Sequence, residues 1–252
     1  MAGMSNEKQQ LLDWIESDRD ELIGFLSDFV AAASPNPPGD TTVAVKHITN
    51  FLDREQLPYR LVDPQPDMAN VVGTFEGANP GKHLVLNGHI DCFPVDENDD
   101  RWTHGPWTGK VADGKVWGRG SADMKCGTTA SIFTFRYLHR IQEKLTGRLT
   151  LTCVSDEESF GPWGARYLHE HDPEVHGDCC LNAGSHRARQ TSGAQRPSGS
   201  QPLSHGQWRL QGLQGVHHRR VRTRRSDYYY SPSRTTAAAA CAALLPCVRG
   251  TG

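Results

Sequence analysis

The stretch "HLVLNGHIDCFP", residues 83–94, begins as an apolar strand and finishes on His89 and Asp91. In an extended chain, residues two apart project to the same side, so an imidazole and a carboxylate leave this strand together. Asp91 can then accept the proton of one ring nitrogen, which leaves the other nitrogen of His89 free for a metal. Taken alone, the pair reads equally as a hydrogen-bonded histidine at a strand end.

Outward from this strand the chain alternates helix and strand signals. Leu11, Ile15, Leu22, Leu26 and Phe29 fall on one stripe and predict a single long helix over 8–33. "SPNPPGD" (34–40) ends it, because three prolines and a glycine cannot continue a helix. A second helix over 41–55 places Val45, Ile48 and Leu52 inward. Strand signals occupy 58–63 and 70–75, and "GKVADGKVWGRG" (109–120) reads as a hairpin around Asp113-Gly114. A helix over 123–144, the strand "RLTLTCV" (148–154), a short helix near 163–170 and the strand "CCLN" (179–182) follow. This alternation predicts an α/β fold, a mostly parallel sheet covered by helices on both faces.

In open α/β sheets, sites form outside the carboxyl ends of the strands. His89 and Asp91 lie at such an end, as do Asp156, Glu157 and Glu158 after the 148–154 strand. Asp123 opens a helix within the glycine-rich run "GRGSADMKCG" (118–127). A carboxylate there can bridge two divalent cations, although aspartate is also a common helix N-cap. Three adjacent acids raise one another's pKa unless a cation sits among them. One of them can ligate a metal while its neighbour moves a proton, or the triplet can be a solvated turn. Three motifs meeting at one rim favour a shared metal site over three unrelated coincidences.

"GHIDCFP", "GRGSADMKCG" and "SDEESFG", in this order, resemble the metallohydrolase family of acetylornithine deacetylase, succinyl-diaminopimelate desuccinylase, aminoacylase and carboxypeptidase G. "SPNPPGD" and the "W…GPW…G" run (102–109) also match, so the likeness spans residues 8–183. It implies a zinc-exopeptidase-like sheet and two zinc or cobalt ions. It further implies His89 as ligand of one ion, Asp91 as the group that orients His89, and Asp123 as the bridge. Glu157 would be the general base, then acid, and Glu158 a ligand of the second ion. A cis peptide at Asp123-Met124 is expected as well. The implied reaction is hydrolysis of an amide or peptide bond in a small N-acyl amino acid or peptide.

The pattern breaks at "CLNAGSHRARQ", where Gly184 stands in place of an expected carboxylate. Residues 1–183 carry 16 Lys/Arg against 28 Asp/Glu, whereas 184–252 carry 11 Arg against Asp227 alone. The second segment has no Lys, Glu, Ile, Phe, Asn or Met, and too few apolar residues for a core. It is expected to lack a recognisable fold, making 1–183 a partial catalytic domain. Three origins fit it: an out-of-frame segment, favoured by the abrupt break inside a motif; a disordered basic tail; or a nucleic-acid arm around "HHRRVRTRR" (217–225). The last is disfavoured because no folded module accompanies it. The family's dimerisation domain and a late histidine ligand are also expected to be missing. Each ion then falls one ligand short of the usual three, which predicts weak metal binding and little turnover. The alternative is a non-catalytic truncated fragment. An amino terminus without a signal-peptide pattern, no apolar membrane run and seven unpatterned cysteines predict a cytoplasmic protein.

Overall fold

A computed structural model describes residues 6–184 and the pair Tyr229–Tyr230. The expectations for 185–252, including the basic run, otherwise lie outside the described residues. Three helices open the chain: α1 (Asn6–Ser17), α2 (Arg19–Ala31) and α3 (Thr42–Arg54). Strands β1 (Arg60–Val62), β2 (Asn70–Glu76) and β3 (Asn79–His89) follow, then the hairpin β4 (Val111–Ala112) and β5 (Lys115–Trp117). Helix α4 (Cys126–Arg140), strand β6 (Thr146–Val154), helix α5 (Ala165–His171) and strand β7 (Cys179–Asn182) complete the main body. A short strand β8 (Tyr229–Tyr230) pairs antiparallel with β5.

The expected single helix over 8–33 is two helices. It breaks at Asp18, whose φ of −92° and ψ of 14° leave the helical region. The break turns the Asp18 carboxylate onto Arg136, with Oδ2 2.5 Å from Nη2. The hydrogen bonds from Asp18 N to Trp14 O and from Leu22 N to Asp18 O keep the two halves aligned. The apolar stripe therefore survives, with Leu11, Leu26 and Phe29 buried.

The main sheet has the order β1-β2-β6-β3-β7. β1 and β6 each pair antiparallel with β2, while β3 pairs parallel with both β6 and β7, so only β2 runs against the rest. The mostly parallel α/β sheet expected from the sequence is present. One face packs against the helices through Phe25, Phe29, Phe51, Phe133 and Phe135 together with Val71, Phe75, Leu86 and Leu151 of the strands. Each such ring stabilises the core by about 1.5–3 kcal/mol. The opposite face meets α5 through Val72, Val154 and Leu168. Because β3, β6 and β7 are parallel, their carboxyl ends, at His89, Val154 and Asn182, lie at one edge. That edge receives the chemistry.

Candidate active site

His89 is the last residue of β3 and is 4% exposed. Its carbonyl accepts from Thr128 Oγ1 at 2.7 Å, which pins the strand end to the first turn of α4. That contact explains Gly88: a Cβ there would meet Thr128 Oγ1 at 2.5 Å. His89 Nδ1 lies 3.0 Å from the Asp91 carbonyl oxygen and 3.3 Å from Asp91 Oδ1. The main-chain carbonyl is thus the nearer acceptor, and the carboxylate expected in that role stands just behind it. The other nitrogen, Nε2, faces Asp123 Oδ1 at 3.4 Å and Glu157 Oε2 at 3.6 Å. Burial pulls the His89 pKa down, but hydrogen bonding to Asp123 and Asp91 and the charges of Asp91 and Glu157 outweigh it. The net shift is well above the ordinary histidine range.

Asp91 is fully buried. Its Oδ2 accepts three N–H groups, from Asn36 Nδ2 at 2.9 Å and from the backbones of Glu157 and Glu158 at 3.0 Å each. One carboxylate oxygen therefore ties the strand β3 end to the loop that follows β6.

The acidic triplet divides. Asp156 turns inward, 4% exposed, and accepts from Asn36 Nδ2 at 2.9 Å, Ser159 Oγ at 2.5 Å and Trp163 N at 3.1 Å. Gly161 makes room for it, since a Cβ there would sit 1.8 Å from Asp156 Oδ2. The exposed Glu157 and the half-buried Glu158 occupy the rim instead. Glu158 Oε1 accepts from Phe93 N at 3.2 Å. Burial, aided by Asp123, Asp91 and Glu157 and opposed by His89, pushes the Glu158 carboxyl up to about 7.

Asp123 does not open the helix as the sequence suggests. It lies in the turn before α4 with φ −128° and ψ 103°, outside helical values, and the helix begins at Cys126. The Asp123–Met124 peptide is cis. The turn is anchored by Lys125, whose fully buried ammonium donates to Phe29 O at 2.8 Å and Ala32 O at 2.6 Å. Those carbonyls belong to the end of α2, where a cation opposes the helix dipole. Burial pulls the Lys125 pKa down.

The third strand end differs. Ala183 N donates to Asn87 O at 3.3 Å, and Gly127 of α4 packs against Ala183 O, where a Cβ would come within 2.0 Å. Gly184, the position lacking a carboxylate, donates to Asn182 Oδ1 at 3.0 Å.

Of the five residues singled out from sequence, the carboxylates of Asp123 and Glu157 come within ion-pairing distance of His89, Asp91 backs His89, and Glu158 lies alongside. The donor chemistry fits a divalent cation: an imidazole nitrogen whose ring partner is engaged elsewhere faces carboxylate oxygens. Among the described residues, no group of three or more His, Cys, Asp or Glu is arranged to hold an ion by itself. Sequence reasoning missed Asn36 and Lys125. Asn36 lies within the quoted "SPNPPGD", where it reads as turn chemistry, and nothing in Lys125's neighbours signals burial.

The sequence profile of peptidase family M20/M25/M40 matches residues 85–241, and the chain belongs to that family. The matched span continues past residue 183, where the composition changes. The N-formyl-4-amino-5-aminomethyl-2-methylpyrimidine deformylase of Halalkalibacterium halodurans is 33% identical over 153 residues, covering 60% of this chain and 36% of that enzyme. The succinyl-diaminopimelate desuccinylase of Methylorubrum extorquens is 38% identical over 94 residues, 37% of this chain and 24% of its own length. The chain thus spans between 24% and 36% of these curated relatives. Human carnosine dipeptidase 1 superposes with a TM-score of 0.56 at 20% identity, over 69% of this chain and 40% of that structure. That likeness bears on the fold.

Proposed function

We propose that this chain is part of a metal-dependent hydrolase that cleaves an amide or peptide bond in a small N-acyl amino acid or peptide. The observation that carries the reading is the meeting of His89 Nε2 with Asp123 and Glu157 at the carboxyl edge of β3 and β6. The family membership supports it, as does the likeness to the deformylase and the desuccinylase above, both of which remove an acyl group. His89 and Asp123 would hold one zinc or cobalt ion, and Asp123 and Glu158 the other. When bound, such ions polarise the scissile carbonyl and acidify the attacking water. Glu157, exposed beside His89, would take a proton from the attacking water and return it to the leaving amine. Asp91 keeps the His89 Nδ1 proton engaged so that Nε2 faces the rim. The five described cysteines, all free thiols, suit a reducing compartment such as the cytoplasm. Among the described residues no helix is long and apolar enough to cross a membrane.

A second reading is a non-catalytic fragment with weak metal affinity. It is favoured by Gly184, whose backbone offers no carboxylate at the end of β7. Both predict weak binding, and turnover separates them. Cobalt binding to the full chain, followed by visible absorption, is expected to disappear in His89→Ala. Hydrolysis of a panel of N-formyl and N-succinyl amino acids is expected to be slow and to vanish in Glu157→Gln. Binding without Glu157-dependent turnover selects the fragment reading, and no binding in the parent chain overturns both.

A further inference from the structure

We propose that Asn36 is the positioning residue that aims His89 at the rim, acting through Asp91; this rests on the metallohydrolase reading of the site. Asn36 is 2% exposed, in the loop between α2 and α3. Its backbone is fixed by a parallel pairing with the segment after β3. Asn36 N donates to Cys92 O at 2.8 Å, Cys92 N to Ser34 O at 2.9 Å, and Ser34 Oγ to Ile90 O at 2.7 Å. The side chain is thereby delivered to one place.

A carboxamide nitrogen carries two protons. One goes to Asp91 Oδ2 and the other to Asp156 Oδ1, each at 2.9 Å. Asp91 and Asp156 are 0% and 4% exposed, and like charges at such depth repel unless a donor stands between them. Asn36 is that donor. Aspartate would bring a third negative charge and no proton, and serine has one proton for two acceptors.

The consequence reaches His89. With Asn36 and two backbone N–H groups on Oδ2, the Asp91 carboxylate is held in one orientation. Its Oδ1 makes no hydrogen bond of its own and is turned toward His89 Nδ1 at 3.3 Å. Together with the Asp91 carbonyl oxygen, 3.0 Å from Nδ1, this carboxylate holds the ring with Nδ1 inward and Nε2 toward Asp123 and Glu157. A residue that only glued loops together would contribute stability and leave the imidazole's behaviour unchanged.

Imidazole nitrogen–proton NMR on the full metal-free chain separates the two roles. The parent is expected to show a slowly exchanging Nδ1 proton on His89, assigned by its absence in His89→Asn. In Asn36→Ala its exchange is expected to accelerate roughly tenfold or more, as a buried hydrogen-bond network loses its anchor. Thr41→Val is the control. Thr41 Oγ1 bonds Asp67 O and Ser155 Oγ at 3.0 Å each, joining neighbouring loops without touching Asp91. It is expected to lower the melting temperature and leave the His89 proton unchanged. If Asn36→Ala does not fold, Asn36→Ser, which keeps one donor, is expected to give an intermediate acceleration. Unchanged exchange in the folded Asn36 variant, or equal acceleration in Thr41→Val, overturns the proposal, as does a parent lacking the protected proton. A parent that shows the proton but binds no cobalt overturns the hydrolase reading alone.

Discussion

The ends of β3 and β7 lie side by side on the same sheet edge, yet they are built differently. At β3, His89 and Asp91 are crosslinked to three other segments: the proline-rich loop through Asn36, the loop after β6 through the backbones of Glu157 and Glu158, and α4 through Thr128. At β7, among the described residues, the side chain of Asn182 hydrogen-bonds to the backbone of Gly184, two residues on. A parallel strand brings its end to the functional edge in both cases. Position on the edge is therefore not enough to make a site; the side chains acquire a fixed direction only where several chain segments share one buried acceptor.

The sharpest way to break this contrast is Asp91→Ala. It strands three N–H donors in a buried setting, and is expected to cost about 3–5 kcal/mol in urea unfolding. A loss below about 1 kcal/mol would erase the difference between the two strand ends. Thr128→Val should follow, at about 1 kcal/mol, because it removes one donor to the His89 carbonyl and keeps the shape. A pH series sharpens the picture at the rim. The folded-state pKa of Glu158 is raised from 4.5 to about 7, so the folded protein holds that proton more tightly than the unfolded chain. This contribution to stability is present below pH 4.5 and is lost as the pH rises through about 7. In the metal-free protein, melting temperatures should show that decline, and Glu158→Gln should flatten it. A Glu158→Gln profile parallel to the parent's would refute the shift. The smallest effect is expected at Asn182→Ala, within about 0.5 kcal/mol of the parent by the same unfolding measurement.

Much of this was legible in the sequence because strand ends and glycine-rich turns announce themselves locally. His89, Asp123, Glu157 and Glu158 each follow a recognisable apolar strand or open a recognisable turn. What was not legible depends on partners far along the chain. Asn36 and Asp156 are 120 residues apart, and the burial of Asn36 has no local sign. Lys125 reads as a solvated cation until the end of α2 is folded over it. The kink at Asp18 is hidden because the apolar periodicity runs through it unchanged. The first four residues of β3, "NPGK" (79–82), carry no apolar strand signal and fall outside the strands predicted from sequence. They nevertheless belong to the strand, with Asn79 opposite Thr146 across a bulge.

The anchoring of Lys125 has a practical corollary for anyone trimming this gene. A clone begun at residue 85, where the family match starts, would discard α2 and with it both carbonyls that hold the Lys125 ammonium. It would also discard β2, exposing the flank of β6 along the register from Val71–Cys153 to Glu76–Arg148. The span matched by the family profile leaves out elements on which the fold depends, and expression boundaries should include them.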